Sequence, residues 1–319
     1  MKVLITGATG LVGSALTSLL LKEGYSVHYL TTSKEKIKKT EDYTGFYWDP
    51  SKNIIDDNCF QGVSTIINLA GATIAQRWSS RNKELILNSR TKSLQTIYSA
   101  ISKMTDNRKF KLISSSAIGI YPDSLANYYT EQTTEIDHSF LGEVVEAWEL
   151  EMEKFKQLSC EVAIIRTGLV CSAKGGALPK LTTAVKNYMG APFGSGSQWQ
   201  SWIHIEDLAA MFLFLMEKDL IGVYNGVAPN PVTNKKMVNE LAKVLNRPLI
   251  LPNVPEFSLK LLLGEMSYLL LASQRVSCSK IQKKGFHFKY KNICKALESL
   301  YPTNTKTDSK QHLDIKEFV

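Results

Sequence analysis

Eight residues near the start, Thr6-Gly7-Ala8-Thr9-Gly10-Leu11-Val12-Gly13, narrow the folds open to this chain more than any other stretch. They follow the apolar run Val3-Leu4-Ile5 and open an amphipathic segment, Val12 to Leu21. Strand, glycine loop and helix in that order make the turn on which a dinucleotide pyrophosphate rests. Gly7 permits the tight turn off the strand, Gly10 lets the backbone approach the phosphates, and Gly13 lets the helix pack closely on the sheet. The helix amides then face the anion with their dipole behind them. Glycine triplets occur in many turns; the flanking strand and helix give this one its weight.

The same alternation continues along the first half. Strands are predicted at Lys2–Thr6, Ser26–Leu30, Thr65–Leu69, Lys111–Ser115 and Val162–Arg166, with helices at Leu11–Glu23, Arg81–Met104 and Leu141–Leu158 between them. This spacing predicts an α/β fold, a doubly wound parallel sheet with right-handed crossovers. After Arg166 the pattern loosens into loops around Gly175-Gly176 and Gly190 to Gly196, a helix over Leu208–Glu217 and a short strand over Gly222–Val227. The alternation of Phe286, Phe288 and Tyr290 with His287 and Lys289 predicts a half-buried strand. We expect a dinucleotide-binding domain from residues 1–168 plus 201–228, a smaller, mainly helical lobe from 169–200 plus 229–302, and a polar tail over 303–319.

Composition excludes several classes. No charge-free apolar run in the 319 residues reaches the ~20 needed to span a bilayer. The richest, Phe257 to Ala272, is interrupted by Lys260, Gly264 and Glu265 and is expected to be a core helix of the second lobe. The first strand begins at Lys2, which leaves no room for a signal peptide. Five cysteines, an odd number without metal-ligand spacing, fit reduced thiols in a cytoplasm and no metal centre. A net charge of +8 is modest, and Lys280, Lys283 and Lys284 belong to no recognised nucleic-acid module. The expected partner is a small molecule, with no nucleic acid and no membrane; no motif speaks to oligomeric state.

The end of the second strand decides the dinucleotide. An acidic residue there bonds the ribose 2′-hydroxyl of NAD. This chain has Thr31-Thr32-Ser33-Lys34, hydroxyls and a cation, which favours the 2′-phosphate of NADP while leaving NAD possible. Asp49 and the small residues Leu69, Ala70 and Gly71 end the next strands, where ligands of such sheets bind.

The Thr6–Gly13 loop, Asn68–Gly71, Ser114-Ser115-Ser116-Ala117, Arg166-Thr167-Gly168 and Trp202–Asp207 together resemble the extended short-chain dehydrogenase/reductases. Arg77-Trp78, Ser89-Arg90, the run from Gly194 to Trp202, and Leu261–Met266 resemble one branch, the sugar-nucleotide-epimerase-like "epimerase family" proteins. The resemblance spans Met1 to about Leu300. It implies that Gly7, Gly10 and Gly13 hold the pyrophosphate, with Thr9, Leu11 and Val12 around it. It also implies that Thr31 and Thr32 stand at the NADP-selecting corner, and that Leu69, Ala70, Arg90 and Val170 line the cofactor.

In that superfamily a tyrosine acid/base is activated by a lysine four residues later, and a serine holds the substrate oxygen. The cation is needed because a tyrosine of pKa near 10 is a poor base at neutral pH. Ser116 matches the serine, but Phe140 and Val144 stand where tyrosine and lysine are expected, and no tyrosine of the chain has lysine four residues on. Tyr121 is the leading substitute, with Tyr128, Tyr129 and Glu143 as others; His204 is expected to brace the fold. Arg77, Trp78, Gln198 and Trp199 are candidate substrate contacts, although either tryptophan can equally be a packing anchor. Two readings stand: an NADP-dependent epimerase or oxidoreductase acting on a nucleotide-sugar-like or carbonyl substrate, and a non-catalytic NADP-binding regulator or assembly factor.

Overall fold

A computed structural model describes residues 1–105 and 108–302; the expected polar tail lies outside them. The first half runs β1 (Lys2–Thr6), α1 (Leu11–Lys22), β2 (Ser26–Thr31), β3 (Tyr43–Asp49), β4 (Ile54–Ile55), β5 (Val63–Asn68), α2 (Ser80–Ile101), β6 (Lys111–Ala117), β7 (Tyr128–Tyr129), α3 (Phe140–Glu153) and β8 (Glu161–Thr167). It continues through β9 (Leu169–Cys171), α4 (Leu178–Lys186), β10 (Trp199–Gln200), β11 (Trp202–His204), α5 (Ile205–Glu217) and β12 (Gly222–Gly226). The last part holds β13 (Val232–Thr233), α6 (Asn234–Val244), α7 (Glu256–Leu263), α8 (Tyr268–Leu271), β14 (Arg275–Val276), α9 (Ser279–Lys283) and α10 (Ile293–Leu300).

Eight strands form the main sheet in the order β12-β8-β6-β5-β1-β2-β3-β4, parallel except for β4 against β3. Successive residues of a strand point to opposite faces, and both faces here are covered. Val3, Ile5 and Ile113 pack with Leu16 and Leu20 of α1 and with Leu208, Phe212 and Leu215 of α5. Leu4, Ile66 and Leu112 pack with Leu94 and Ile97 of α2 and with Trp148 and Met152 of α3. That double covering is why the strands read as unbroken apolar runs, each full burial contributing about 1.5–3 kcal/mol. Strand order reverses between β5 and β1, so their carboxyl ends open the crevice where such sheets take ligands.

A further core joins α4, α6 and α10 through Leu178, Val185, Met237, Leu241, Ile293 and Leu297 around Trp202. The segment around β14 sews the C-terminal third onto the sheet. Ser273 N–H donates to Asp123 (2.7 Å), Gln274 Nε2 to the Tyr121 carbonyl (2.5 Å), and Ser277 N–H to the Tyr129 carbonyl (2.8 Å).

Two expectations are corrected. Gly285 to Tyr290 forms no strand: Phe286 and Phe288 are buried edge-on to one another, but the N–H groups of Lys289 and Tyr290 donate to the two oxygens of Asp207. A buried carboxylate therefore does what a neighbouring strand would have done. The apolar stretch from Phe257 is not a core helix either. In α7 only Leu259 is buried, while Phe257, Leu261 and Leu262 are 71%, 83% and 76% exposed. Gly264, at φ 59°, ends the helix before a second face can dock.

Candidate functional site

The loop leaving β1 is built so that nothing larger than hydrogen fits at two positions. Gly7 has φ 68°, and a Cβ there would lie 2.7 Å from the Leu69 carbonyl oxygen; one on Gly13 would lie 2.1 Å from the Gly7 carbonyl oxygen. Gly10 N–H closes the turn onto the Gly7 carbonyl (2.9 Å). Gly10 then caps α1 with no side-chain bond to the helix amides and no acidic residue in the first turn, so that end suits an anion. Thr9 and Gly10 are exposed, Leu11 and Val12 half-buried. Thr6 locks this loop to the next one: its hydroxyl donates to Asn68 Oδ1 (2.7 Å) and accepts from the amides of Leu69 (3.0 Å) and Ala70 (3.1 Å). The cradle fits a dinucleotide pyrophosphate. A contact not foreseen from sequence adjoins it: Gly175 and Gly176, in the loop after β9 and its Val170, lie against the Leu11 side chain.

At the end of β2, Thr31 is buried and Thr32 exposed, and Thr31 Oγ1 accepts from Ser33 N–H at 3.2 Å. Asp49 reaches the same edge but its Oδ1 accepts from Ser51 N–H and Oγ at 3.1 and 2.6 Å, which lowers its pKa. It caps its own turn, with Lys52 Nζ 3.6 Å from its Oδ2. Gly71 lies against the Arg90 guanidinium. Arg90 donates to the carbonyls of Ala72 and Ile86 and stacks on Trp148, 5.1 Å from the ring centre. Burial pulls its pKa down to about 10.

Beyond the cradle the expected acid–base groups are engaged with the protein. Ser116 is 2% exposed and donates to Glu149 Oε1 at 2.6 Å. Arg166 grips the same carboxylate through Nε (2.9 Å) and Nη2 (2.8 Å) and donates through Nη1 to Tyr121 Oη (3.1 Å). Tyr121 is fully buried and donates to Asn225 Oδ1 (2.8 Å). Burial raises its pKa in spite of Arg166, and its hydroxyl, read from sequence as a substitute proton donor, is bonded on both sides within the protein. Arg166 stays charged: burial works against it, and Glu149 more than offsets the penalty. Glu149 is nine residues after Phe140, about 13 Å along α3, so the Ser116 hydroxyl is spent on a part of the helix away from Phe140.

That position is apolar. Trp78 meets Phe140 edge-on at 5.0 Å, and Val144, 3% exposed, completes the cluster with Ile86. Of the alternatives, Tyr129 is buried and stacked on Tyr121, Tyr128 is exposed under Arg275, and Glu143 is exposed on α3. His204 caps α5 by accepting from Glu206 N–H (3.2 Å), and burial lowers its pKa to about 4, a bracing role as expected.

The four candidate substrate residues separate. Trp78 is 8% exposed with its indole N–H on the Ile74 carbonyl, and Gln198 is 4% exposed with Nε2 on the carbonyls of Phe193 and Leu270. Both are engaged with the protein itself, where the sequence reading set them as candidate substrate contacts. Trp199 donates to the Leu125 carbonyl and lies under Arg275 at 4.5 Å; Arg77 is exposed. Among the described residues no cluster of histidine, cysteine and carboxylate can hold a metal, no helix is long and apolar enough to cross a membrane, and all five cysteines are free.

Residues 3–225 match the NAD dependent epimerase/dehydratase family. The chain belongs to it. Residues 254–300 match a second family, a domain of unknown function designated DUF1731. An "Epimerase family protein" of Staphylococcus aureus is 36% identical over 298 residues, 93% of this chain and 98% of that protein. The "Epimerase family protein SDR39U1 homolog, chloroplastic" of Arabidopsis thaliana is 36% identical over 94% of this chain and 86% of its own length. Human epimerase family protein SDR39U1 (isoform2), crystallised with NADPH, superposes with a TM-score of 0.81 at 26% identity, covering 94% of this chain and 99% of that one. The fold class and the epimerase-branch resemblance read from the sequence both hold.

Proposed function

We propose that this family member binds NADP(H) in the crevice between β1 and β5 and takes a nucleotide-sugar-like or carbonyl ligand beside it, without the tyrosine–lysine proton relay. The observation that carries the reading is the Gly7–Gly13 cradle, two positions a side chain would fill, facing an uncapped helix end. Gly7, Gly10 and Gly13 would receive the pyrophosphate with Thr9, Leu11 and Val12. Thr31 and Thr32 would meet the adenosine ribose, and Leu69, Ala70, Gly71, Arg90 and Val170 would line the rest. A bound nicotinamide supplies hydride transfer. The protein's own proton chemistry is what is missing: the Phe140 and Val144 side chains carry no acid or base, and the Tyr121 hydroxyl is buried between Asn225 and Arg166.

The apolar cluster of Trp78, Ile86, Phe140 and Val144 favours a binding role, as a cofactor-dependent regulator or assembly factor. Turnover as an epimerase or oxidoreductase is the second reading, supported by family membership. Five free thiols suit a reducing compartment such as the cytoplasm.

Parallel fluorescence titrations with NADPH and NADH test the first claim; binding of neither at millimolar concentration would overturn it. A single-turnover panel of carbonyl and nucleotide-sugar substrates tests the second. The expected result is no NADPH oxidation above the substrate-free rate, and substrate-dependent oxidation would restore the enzymatic reading.

A further inference from the structure

Arg275 opens β14, and the fold seats its guanidinium on two aromatic rings. Its Cζ lies 4.5 Å from the centre of the Trp199 ring and 5.2 Å from that of Tyr128. Both rings come from neighbouring strands: Tyr128 pairs with Arg275 in the parallel register of β7 and β14, and the Trp199 carbonyl accepts from the Gln274 N–H (3.2 Å). Among the described residues no carboxylate or carbonyl takes the guanidinium N–H groups. Asp123, the acid of the adjoining loop, already accepts from the Ser273 N–H. Arg77 and Arg81 are exposed without such a seat.

The seat is on the ligand-binding side of the sheet. The Ser277 carbonyl accepts from Asn225 Nδ2 (3.0 Å), and Lys280 Nζ reaches the Val223 carbonyl (2.7 Å). The segment leaving β14 therefore descends alongside β12 from its carboxyl end towards its amino end. Arg275 precedes that descent, so it stands outside the carboxyl ends of the strands, on the side of the Gly7–Gly13 cradle, where ligands of such sheets bind. The indole beneath it is fixed independently: Trp199 N–H donates to Ser273 Oγ (3.1 Å) and its ring N–H to the Leu125 carbonyl (3.2 Å). A guanidinium is weakly hydrated over its faces and stacks there, while its edges keep a planar fork of donors. Holding that plane in advance reduces the side-chain ordering lost when an oxyanion is gripped at two points.

We infer that Arg275, seated on Trp199 and Tyr128, is an oxyanion receptor at the carboxyl edge of the sheet, and that the ligand taken beside the dinucleotide carries a phosphate or carboxylate group. The inference deepens the proposed function and rests on it only for the ligand's place beside a cofactor. Arg275 contacts the anion; Tyr128 and Trp199 position the guanidinium. Trp199, a candidate substrate contact from sequence, thus serves as the surface that holds the arginine.

The test is two-dimensional NMR of the indole N–H groups of the full chain, which has five tryptophans; the Trp199 signal is identified by its loss in Trp199→Phe. Inorganic phosphate, pyrophosphate and malonate are titrated at constant ionic strength without dinucleotide. Reading the Trp199 signal keeps anions held at the glycine loop out of the measurement. An anion that binds should move this signal to saturation, and the tightest of the three tells phosphate from carboxylate. Arg275→Gln is expected to weaken that anion at least about fivefold. Arg275→Lys, which keeps the charge and loses the fork, should weaken it about threefold, and Tyr128→Ala by a similar factor. Lys283→Gln, at an exposed cation elsewhere in the C-terminal segment, should match the parent within about twofold. The receptor is overturned if no probe moves the Trp199 signal, if Arg275→Gln binds within about twofold of the parent, or if Lys283→Gln weakens binding as much. Parent affinity in Arg275→Lys overturns the fork, and in Tyr128→Ala the ring seat. Arg275 is exposed, so its variants should keep the parent melting temperature. Failure of both dinucleotide titrations with anion binding intact removes the cofactor reading and leaves the receptor; the converse removes the receptor alone.

Discussion

Replacing Ser116 with alanine distinguishes a serine that serves the fold from one that holds a substrate. Its hydroxyl gives Glu149 one of three bonds, the other two coming from Arg166, and both partners of the ion pair are only 12–13% exposed. A hydrogen bond to a charged group contributes about 1.5–3 kcal/mol. Because the carboxylate keeps both arginine bonds, the lower end applies, and the melting temperature of a chain this size should fall by roughly 2 °C. Glu149→Gln is the stronger companion: it removes the charge that compensates Arg166 and should cost about 3–5 kcal/mol. Urea denaturation followed by tryptophan fluorescence measures both, and NADPH titration of each folded variant should give a Kd within about twofold of the parent. The reasoning fails if Ser116→Ala is as stable as the parent to within about 0.5 kcal/mol and instead abolishes an NADPH-dependent turnover.

Three further outcomes follow from the geometry. Gly13→Ala places a methyl 2.1 Å from the Gly7 carbonyl oxygen and should weaken NADPH at least about tenfold by titration. His204 has a folded pKa of about 4 against 6.5 unfolded, so the unfolded chain binds the extra proton. Its contribution is complete above pH 6.5 and is lost as the pH falls through 4, up to about 3 kcal/mol; a pH series of urea midpoints should show that loss shrink in His204→Ser, which keeps a capping oxygen. In α7, Leu261→Ser with Leu262→Ser removes side chains that touch little and should change stability by no more than about 0.5 kcal/mol, whereas Trp78→Ala should cost about 3–5 kcal/mol.

The parts of this molecule legible in its sequence are those governed by local rules. Gly7 and Gly13 are required by backbone geometry that a strand–turn–helix pattern announces, and the β1, β5 and β6 runs are apolar because both faces of each strand are covered. That no tyrosine has lysine four residues on is likewise a matter of spacing alone. Long-range partnerships were not visible. Glu149 looks like an ordinary helical acid until Arg166, seventeen residues on, turns out to lie beneath it. Tyr121 stands next to the right strand but points into the sheet. The Phe286–Tyr290 alternation matched a strand's period, yet its amides found Asp207, eighty-two residues away for Lys289. In α7 the apolar content suggested burial, and only the packing decides whether a second surface arrives to cover it.

The stitching around β14 also orders the protein's birth. Gln274 bonds the Tyr121 carbonyl across 153 residues, and Ser277 supplies the carbonyl that holds the Asn225 side chain, itself the partner of the Tyr121 hydroxyl. At synthesis rates of about 5–20 residues per second, Tyr121 leaves the ribosomal tunnel roughly 8–30 s before the segment that completes its surroundings. Through that interval the sheet's central polar chain stands unclosed on its C-terminal side. The matched segment 254–300 thus carries bonds that reach back to Tyr121, Tyr129 and Asn225, and a nascent chain stalled short of Ser273 would lack them.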